Sequence, residues 1–276
     1  MDSLLSVLNA LLPFLYGGLA AIYGVLLARD LPWARKAGPR LLVATFILHL
    51  GYVIGEGFWL GHHPIADKFE LFSFAAMALT GSYLWVEWRR RNPYTGVFPL
   101  SLALLLQACA SLGRPEAYEV PEVLRNPLFA WHSISAALAV AALSVGAVYG
   151  GLFLVMYRLL KRGDFGSFTD RMPSLEVLAA MSLHAVEVGF VFLTLAVGLG
   201  DVWVSRTPEF SMADPKIWAT FVVWAVYGVA LGGRFLGKWG GWRVVSLNLA
   251  GYTLLLGSML LVGRVFDTFH RFTGRP

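Results

Sequence analysis

Eight stretches of this 276-residue chain are apolar enough, and long enough or nearly so, to cross a lipid bilayer. They lie at about 4–28, 41–60, 69–88, 97–112, 128–157, 174–200, 216–233 and 243–263. A helix needs about 20 apolar residues to traverse about 30 Å of hydrocarbon. The fourth stretch is the shortest, and the fifth is long enough to tilt or to project beyond the membrane. The expected fold is all-α: a polytopic membrane protein built as one domain over residues 1–276, a bundle of eight transmembrane helices. The first stretch lacks a charged leading segment and a small-residue cleavage site, so it reads as a retained span and not as a signal peptide.

The composition excludes the competing classes. Hydrophobic residues make up 57% of the chain and charged residues 14%, with a mean hydropathy of +0.64. Soluble domains are less apolar and more charged, and disordered chains more so. A single cysteine, Cys109, excludes a disulfide framework, a CxxC redox pair, a cysteine zinc site and covalent haem attachment through CxxCH. Cys109 falls inside the fourth span and reads as a small buried apolar residue.

The net charge of +5 reports orientation and gives no reason to invoke nucleic acid. Arg29, Arg35, Lys36 and Arg40 follow span one, and Arg89, Arg90 and Arg91 follow span three. Arg158, Lys161, Arg162 and Arg171 follow span five, and Arg234, Lys238 and Arg243 follow span seven. These alternate loops hold 14 of the 22 basic residues. The other side carries Glu116, Glu119, Glu122, Asp201, Glu209 and Asp214. The positive-inside rule assigns the basic loops to the cytoplasm. The acidic loops and both termini are then expected outside an inner (cell) membrane.

Ionisable groups at membrane depth are costly and mark candidate functional sites. His132 opens span five on the outer side, and His270 lies about seven residues beyond span eight, on the same side. His49 lies about eight residues into span two from the cytoplasmic end, about 12 Å at 1.5 Å per residue, and His184 about ten residues into span six, about 15 Å. The histidines thus form an outer pair and a depth-matched inner pair, with His62 and His63 in the outer loop between spans two and three, where solvation is the ordinary expectation. Two imidazoles facing one another in a helical bundle suit the axial positions of haem iron. A single membrane histidine is more often an interhelical hydrogen-bonding group, and spacing alone leaves both readings open. Glu187 lies one turn from His184 on the same face, as a hydrogen-bonding partner or as a carboxylate that orients a ligand. GxxxG pairs at Gly51 and Gly55, Gly146 and Gly150, and Gly228 and Gly232 favour close helix packing.

The outer loop from about 200 to 217 mixes Trp203, Phe210 and, just beyond, Trp218 with Asp201, Arg206, Glu209, Asp214 and Lys216. An interfacial aromatic belt has this composition, and so does a site for a flat macrocycle with anionic substituents. Further pieces fall in order along the chain: His63-Pro64-Ile65, Met172-Pro173-Ser174-Leu175-Glu176, Gly189-Phe190, Asp214-Pro215-Lys216 followed by Trp218, Trp224 and Tyr227, and Gly241-Trp242-Arg243. Their order and placement resemble the cytochrome c assembly proteins of the CcsA/ResC type, including the HemX-like branch, over most of the chain from span two onward.

The resemblance implies a membrane protein that binds haem b non-covalently and presents it on the outer face to apocytochrome c, beside a CcsB/ResB-like membrane partner. It implies that His132 and His270 ligate an external haem, that His49 belongs to an inner haem site, and that Trp203, Asp214 and Trp218 lie in the family's tryptophan-rich platform. The chain departs from the family in its thinned tryptophans and in Gly232, which stands near the family's second transmembrane histidine. By its depth His184 is expected to replace that ligand. No residue reads as a catalytic base or nucleophile, so a haem lyase activity shared with a partner would rest on scaffolding and the cofactor's own chemistry. A b-type bis-histidine electron carrier and an accessory subunit without haem remain as alternatives.

Overall fold

The computed structural model describes residues 2–63, 65, 68–113, 126–164, 166–206 and 211–265. Among these, every regular element is helical, as hydrocarbon demands of a chain whose backbone groups must be satisfied within each span. The eight main helices are α1 (Asp2–Arg29), α2 (Pro32–Leu60), α3 (Lys68–Arg90), α4 (Val97–Ser111), α5 (Pro127–Arg162), α6 (Leu175–Ser205), α7 (Pro215–Phe235) and α8 (Gly241–Val265). A one-turn helix, Ser167–Arg171, lies between α5 and α6. Seven of the eight are long and apolar enough to cross a membrane. With 15 residues, α4 reaches about 22 Å at 1.5 Å per residue, short of a full crossing. The protein is a polytopic helical membrane protein.

Local chemistry sets the helix ends. Pro32, Pro127 and Pro215 occupy first-turn positions, where no intrahelical N–H is needed. Side chains cap three helices: Asn126 accepts from the Leu128 N–H at 2.9 Å, Ser174 from Val177 at 3.4 Å and Asp214 from Lys216 at 2.7 Å. Gly61 and Gly163 close α2 and α5 in the left-handed region, with φ of 69° and 71°, where glycine bears no steric cost.

The antiparallel pair α5 and α6 is the spine of the bundle. Gly189 makes its close approach possible: a Cβ there would lie 2.7 Å from the Leu143 side chain. Gly146 answers from α5, where a Cβ would lie 2.8 Å from Val186. Of the expected GxxxG pairs only Gly146 and Gly150 are tightly packed, the first against α6 and the second against Leu249 of α8. On one side of the spine α1 to α4 form a group joined to it through α3, and on the other α7 and α8 pack together. The larger core gathers Tyr16, Tyr23, Leu79, Tyr83, Tyr149 and Met181, and a second gathers Leu143, Val186, Val223 and Tyr227. A third, small cluster of Phe129, Trp203 and Val204 closes the end where α5 begins and α6 stops.

Candidate functional site

His132 is the sixth residue of α5, held at the start of that helix by the Asn126 cap. Its ring crosses the seam to α6, and Nδ1 lies 2.8 Å from the Ala196 carbonyl oxygen. A carbonyl can only accept, so Nδ1 carries the proton and the lone pair of the neutral ring resides on Nε2. Gly200, one turn beyond Ala196, makes room for the ring, for a Cβ at that position would lie 2.8 Å from Nδ1 and 2.9 Å from Cε1.

The ring borders a cavity of about 50 Å³ lined also by Gly200, Asp201, Trp203, Val204, Ile217, Thr220 and Phe221. The half-buried imidazole and apolar walls suit an iron-bearing macrocycle, whereas the Asp201 carboxylate would repel its anionic substituents. Orientation of a ligating histidine through its second nitrogen is the usual arrangement at metal sites. The volume is that of a few waters, too small to enclose a porphyrin.

The loop residues expected to form a platform have three separate placements. Trp203 is only 3% exposed and packs edge-on to Phe129, with ring centroids 5.1 Å apart. It supports the cavity and presents no open stacking face. Asp214 is buried as the N-cap of α7 and thereby sets where Ile217, Thr220 and Phe221 begin. Trp218 is 62% exposed, beside Phe221 at 6.2 Å, and is not part of the cavity lining. Lys216 donates from Nζ to the Ser258 carbonyl at 2.8 Å, which ties α7 to α8. His270 lies outside the described residues, as do residues 207–210.

The inner histidines are not brought together. His49 is fully buried, with Nδ1 2.8 Å from the Tyr16 hydroxyl on α1 and Nε2 3.0 Å from the Ser73 hydroxyl on α3. His184 lies on α6 and donates from Nδ1 to Glu187 at 2.9 Å, the one-turn pairing its spacing implied. Equal depth therefore does not make His184 the missing partner of His49, because the two rings belong to different parts of the bundle and have their own partners. His62 is not a solvated loop residue either: its side chain is buried, 3.6 Å from Glu70.

Sequence reasoning missed Ala196, Gly200, Thr220 and Phe221. The glycine offered a faint signal, an unbranched gap near the end of a span opposite the histidine-bearing turn. The carbonyl and the α7 residues offered none.

Residues 33–270 match the family described as Cytochrome C assembly protein. The cytochrome c biogenesis protein CcsA of Prochlorococcus marinus (strain NATL1A) is 27% identical over 277 residues, covering 87% of this chain and 88% of the relative. CcsA of Synechococcus sp. (strain CC9311) is 27% identical over 281 residues, covering 88% and 92%. CcsA of Heterosigma akashiwo (strain NIES-293 / 8280G21-1) is 25% identical over 229 residues, covering 70% and 71%. By this match over most of its length, the chain belongs to the cytochrome c assembly protein family.

Proposed function

We propose that this chain serves cytochrome c biogenesis by holding haem b at the outer end of the bundle, where His132 Nε2 would bind its iron. The observation that carries the reading is the His132–Ala196 hydrogen bond, which leaves the lone pair of the neutral ring on Nε2 and orients the imidazole. Ala196 and Gly200 orient the imidazole, while Ile217, Thr220 and Phe221 exclude water from one side of it. His270 is the proposed second ligand, by resemblance. When bound, haem supplies the vinyl groups that become thioethers with the thiols of apocytochrome c, and the protein's part is to bring the reactants together. A CcsB/ResB-like partner completes the proposed assembly. In this reading the end that holds His132 and both termini face outward from the cell membrane, and the basic loops face the cytoplasm.

The modest size of the cavity favours a second reading, an accessory subunit that binds no haem. The electron-carrier alternative is disfavoured, since it needs a second haem between His49 and His184, whose partners lie on separate helices. Absorption spectra of the purified protein, oxidised and reduced, with a pyridine haemochrome count, decide among the three. One haem per chain that disappears in His132→Ala supports the proposal. A colourless preparation from haem-replete cells refutes it and leaves the accessory reading, and haem retained by His132→Ala refutes the ligand assignment.

A further inference from the structure

The resemblance assigns His49 to an inner haem site, and the surroundings of His49 argue for a different role. The imidazole sits at the centre of a chain of buried polar groups drawn from four helices. Gln107 of α4 lies 3.3 Å from Asn9 Oδ1 and 3.1 Å from Ser111 Oγ through its amide nitrogen, and its carbonyl oxygen accepts from Ser73 at 3.0 Å. His49 Nε2 lies 3.0 Å from the Ser73 hydroxyl and Nδ1 2.8 Å from the Tyr16 hydroxyl. Tyr16 is also 3.0 Å from the hydroxyl of Thr80, which donates to the Ala76 carbonyl at 2.7 Å. Each ring nitrogen is therefore engaged by a hydroxyl, a group that can donate or accept.

In either neutral tautomer neither ring nitrogen offers a free lone pair: the protonated one donates to its hydroxyl and the other accepts from the hydroxyl beside it. His132 differs on this very point, because among the described residues only its Nδ1 has a hydrogen-bond partner. Space gives the same answer. The cavity next to this network, lined by Asn9, Tyr52, Glu56, Glu70 and Ser73, measures about 10 Å³, enough for one water. Tyr16 and Tyr52 flank the imidazole, with centroids 5.6 and 6.1 Å away.

We infer that His49 is a hydrogen-bond hub that fastens α1, α2, α3 and α4 into one unit, and is not an iron ligand. Among the described residues, haem capacity then lies at the outer end, and the polar groups of the first four helices serve to hold those helices in register. Buried networks of this kind are costly when one member is removed, because the remaining donors and acceptors lose their partners where no water can replace them. In a membrane, where apolar contact with a neighbouring helix has little advantage over contact with lipid, such bonds are a principal way to select the neighbour. The inference rests on the proposed function only where haem is counted; its structural half stands alone.

The test uses the full-length protein in detergent, with His49→Gln, His49→Leu, Ser73→Ala and the His49→Leu/Ser73→Ala double variant. After haemin loading, His49→Gln should keep the wild-type haem count and spectrum. A wild-type count of two that falls to one in His49→Gln overturns the inference. Independently of haem, the thermal midpoint should fall by several degrees in His49→Leu and much less in His49→Gln, whose amide offers both a donor and an acceptor. The double variant should fall by clearly less than the two single losses combined, since each breaks the same chain. Additive losses, or a midpoint unmoved by His49→Leu, overturn it. A preparation that binds no haem refutes the proposed function while the thermal cycle still decides the role of His49.

Discussion

Gly200→Ala is the sharpest probe of the outer site, since one methyl group should uncouple His132 from its anchor without disturbing the fold. The new Cβ would stand 2.8 Å from His132 Nδ1, against an ordinary contact of about 3.4 Å, so the ring must retreat by about 0.6 Å. It must move away from α6, the helix that also carries Ala196. The Nδ1–Ala196 separation of 2.8 Å then becomes about 3.4 Å, beyond the ordinary N–H···O range of about 2.7–3.2 Å. The lost bond is worth about 1 kcal/mol net. Loss of an orienting partner typically lowers metal affinity by about 10–100-fold. Alanine gains about 0.5–1 kcal/mol of helix stability over glycine, which offsets the lost bond, so the thermal midpoint should barely move while affinity falls. Haem titration followed at the Soret band measures the affinity, and ¹⁵N shifts of the imidazole report the His132 tautomer without any ligand. Gly198→Ala is the control, for its Cβ would meet nothing within 4 Å, and its affinity should match the wild type. A Gly200→Ala protein that binds haem within twofold of the wild type, with an unchanged spectrum and an Nδ1–H tautomer, would refute the account of how His132 is prepared.

Two further outcomes are expected. Asp214→Ala removes the cap on α7 and should cost about 0.5–2 kcal/mol; chemical denaturation should detect it, and Asp214→Asn should restore most of the loss, whereas equal losses would show that Asp214 acts through something other than its N-cap bond. Gly189→Val would push a branched side chain into Leu143 from 2.7 Å, an overpacking cost of about 1–3 kcal/mol, read as a lower thermal midpoint and weaker protection of α5 amides from exchange; a variant as stable as the wild type would mean that the spine can separate without penalty.

Much of the fold was legible before any coordinate. The eight apolar stretches became eight helices, whereas the capping roles of Asn126, Ser174 and Asp214 came only with the structure. The Glu187 partner of His184 was readable as well, since one helical turn decides it. Trp203 was not: its type suits an exposed platform and a buried wedge alike, and packing against Phe129 chose the wedge.

What the linear order of residues determined by itself is which stretches become helices apolar enough to cross a membrane, because hydrocarbon forces the backbone to bond within each span and residue count then measures reach. What only the tertiary structure decided is rotation and neighbour. His49 and His184, expected at similar depth from residue counts, have separate partners, and His132 owes its orientation to a carbonyl and a glycine on another helix. Depth accumulates residue by residue along one helix, whereas facing arises from side-chain fit and hydrogen bonding between helices that the surrounding apolar medium does little to distinguish.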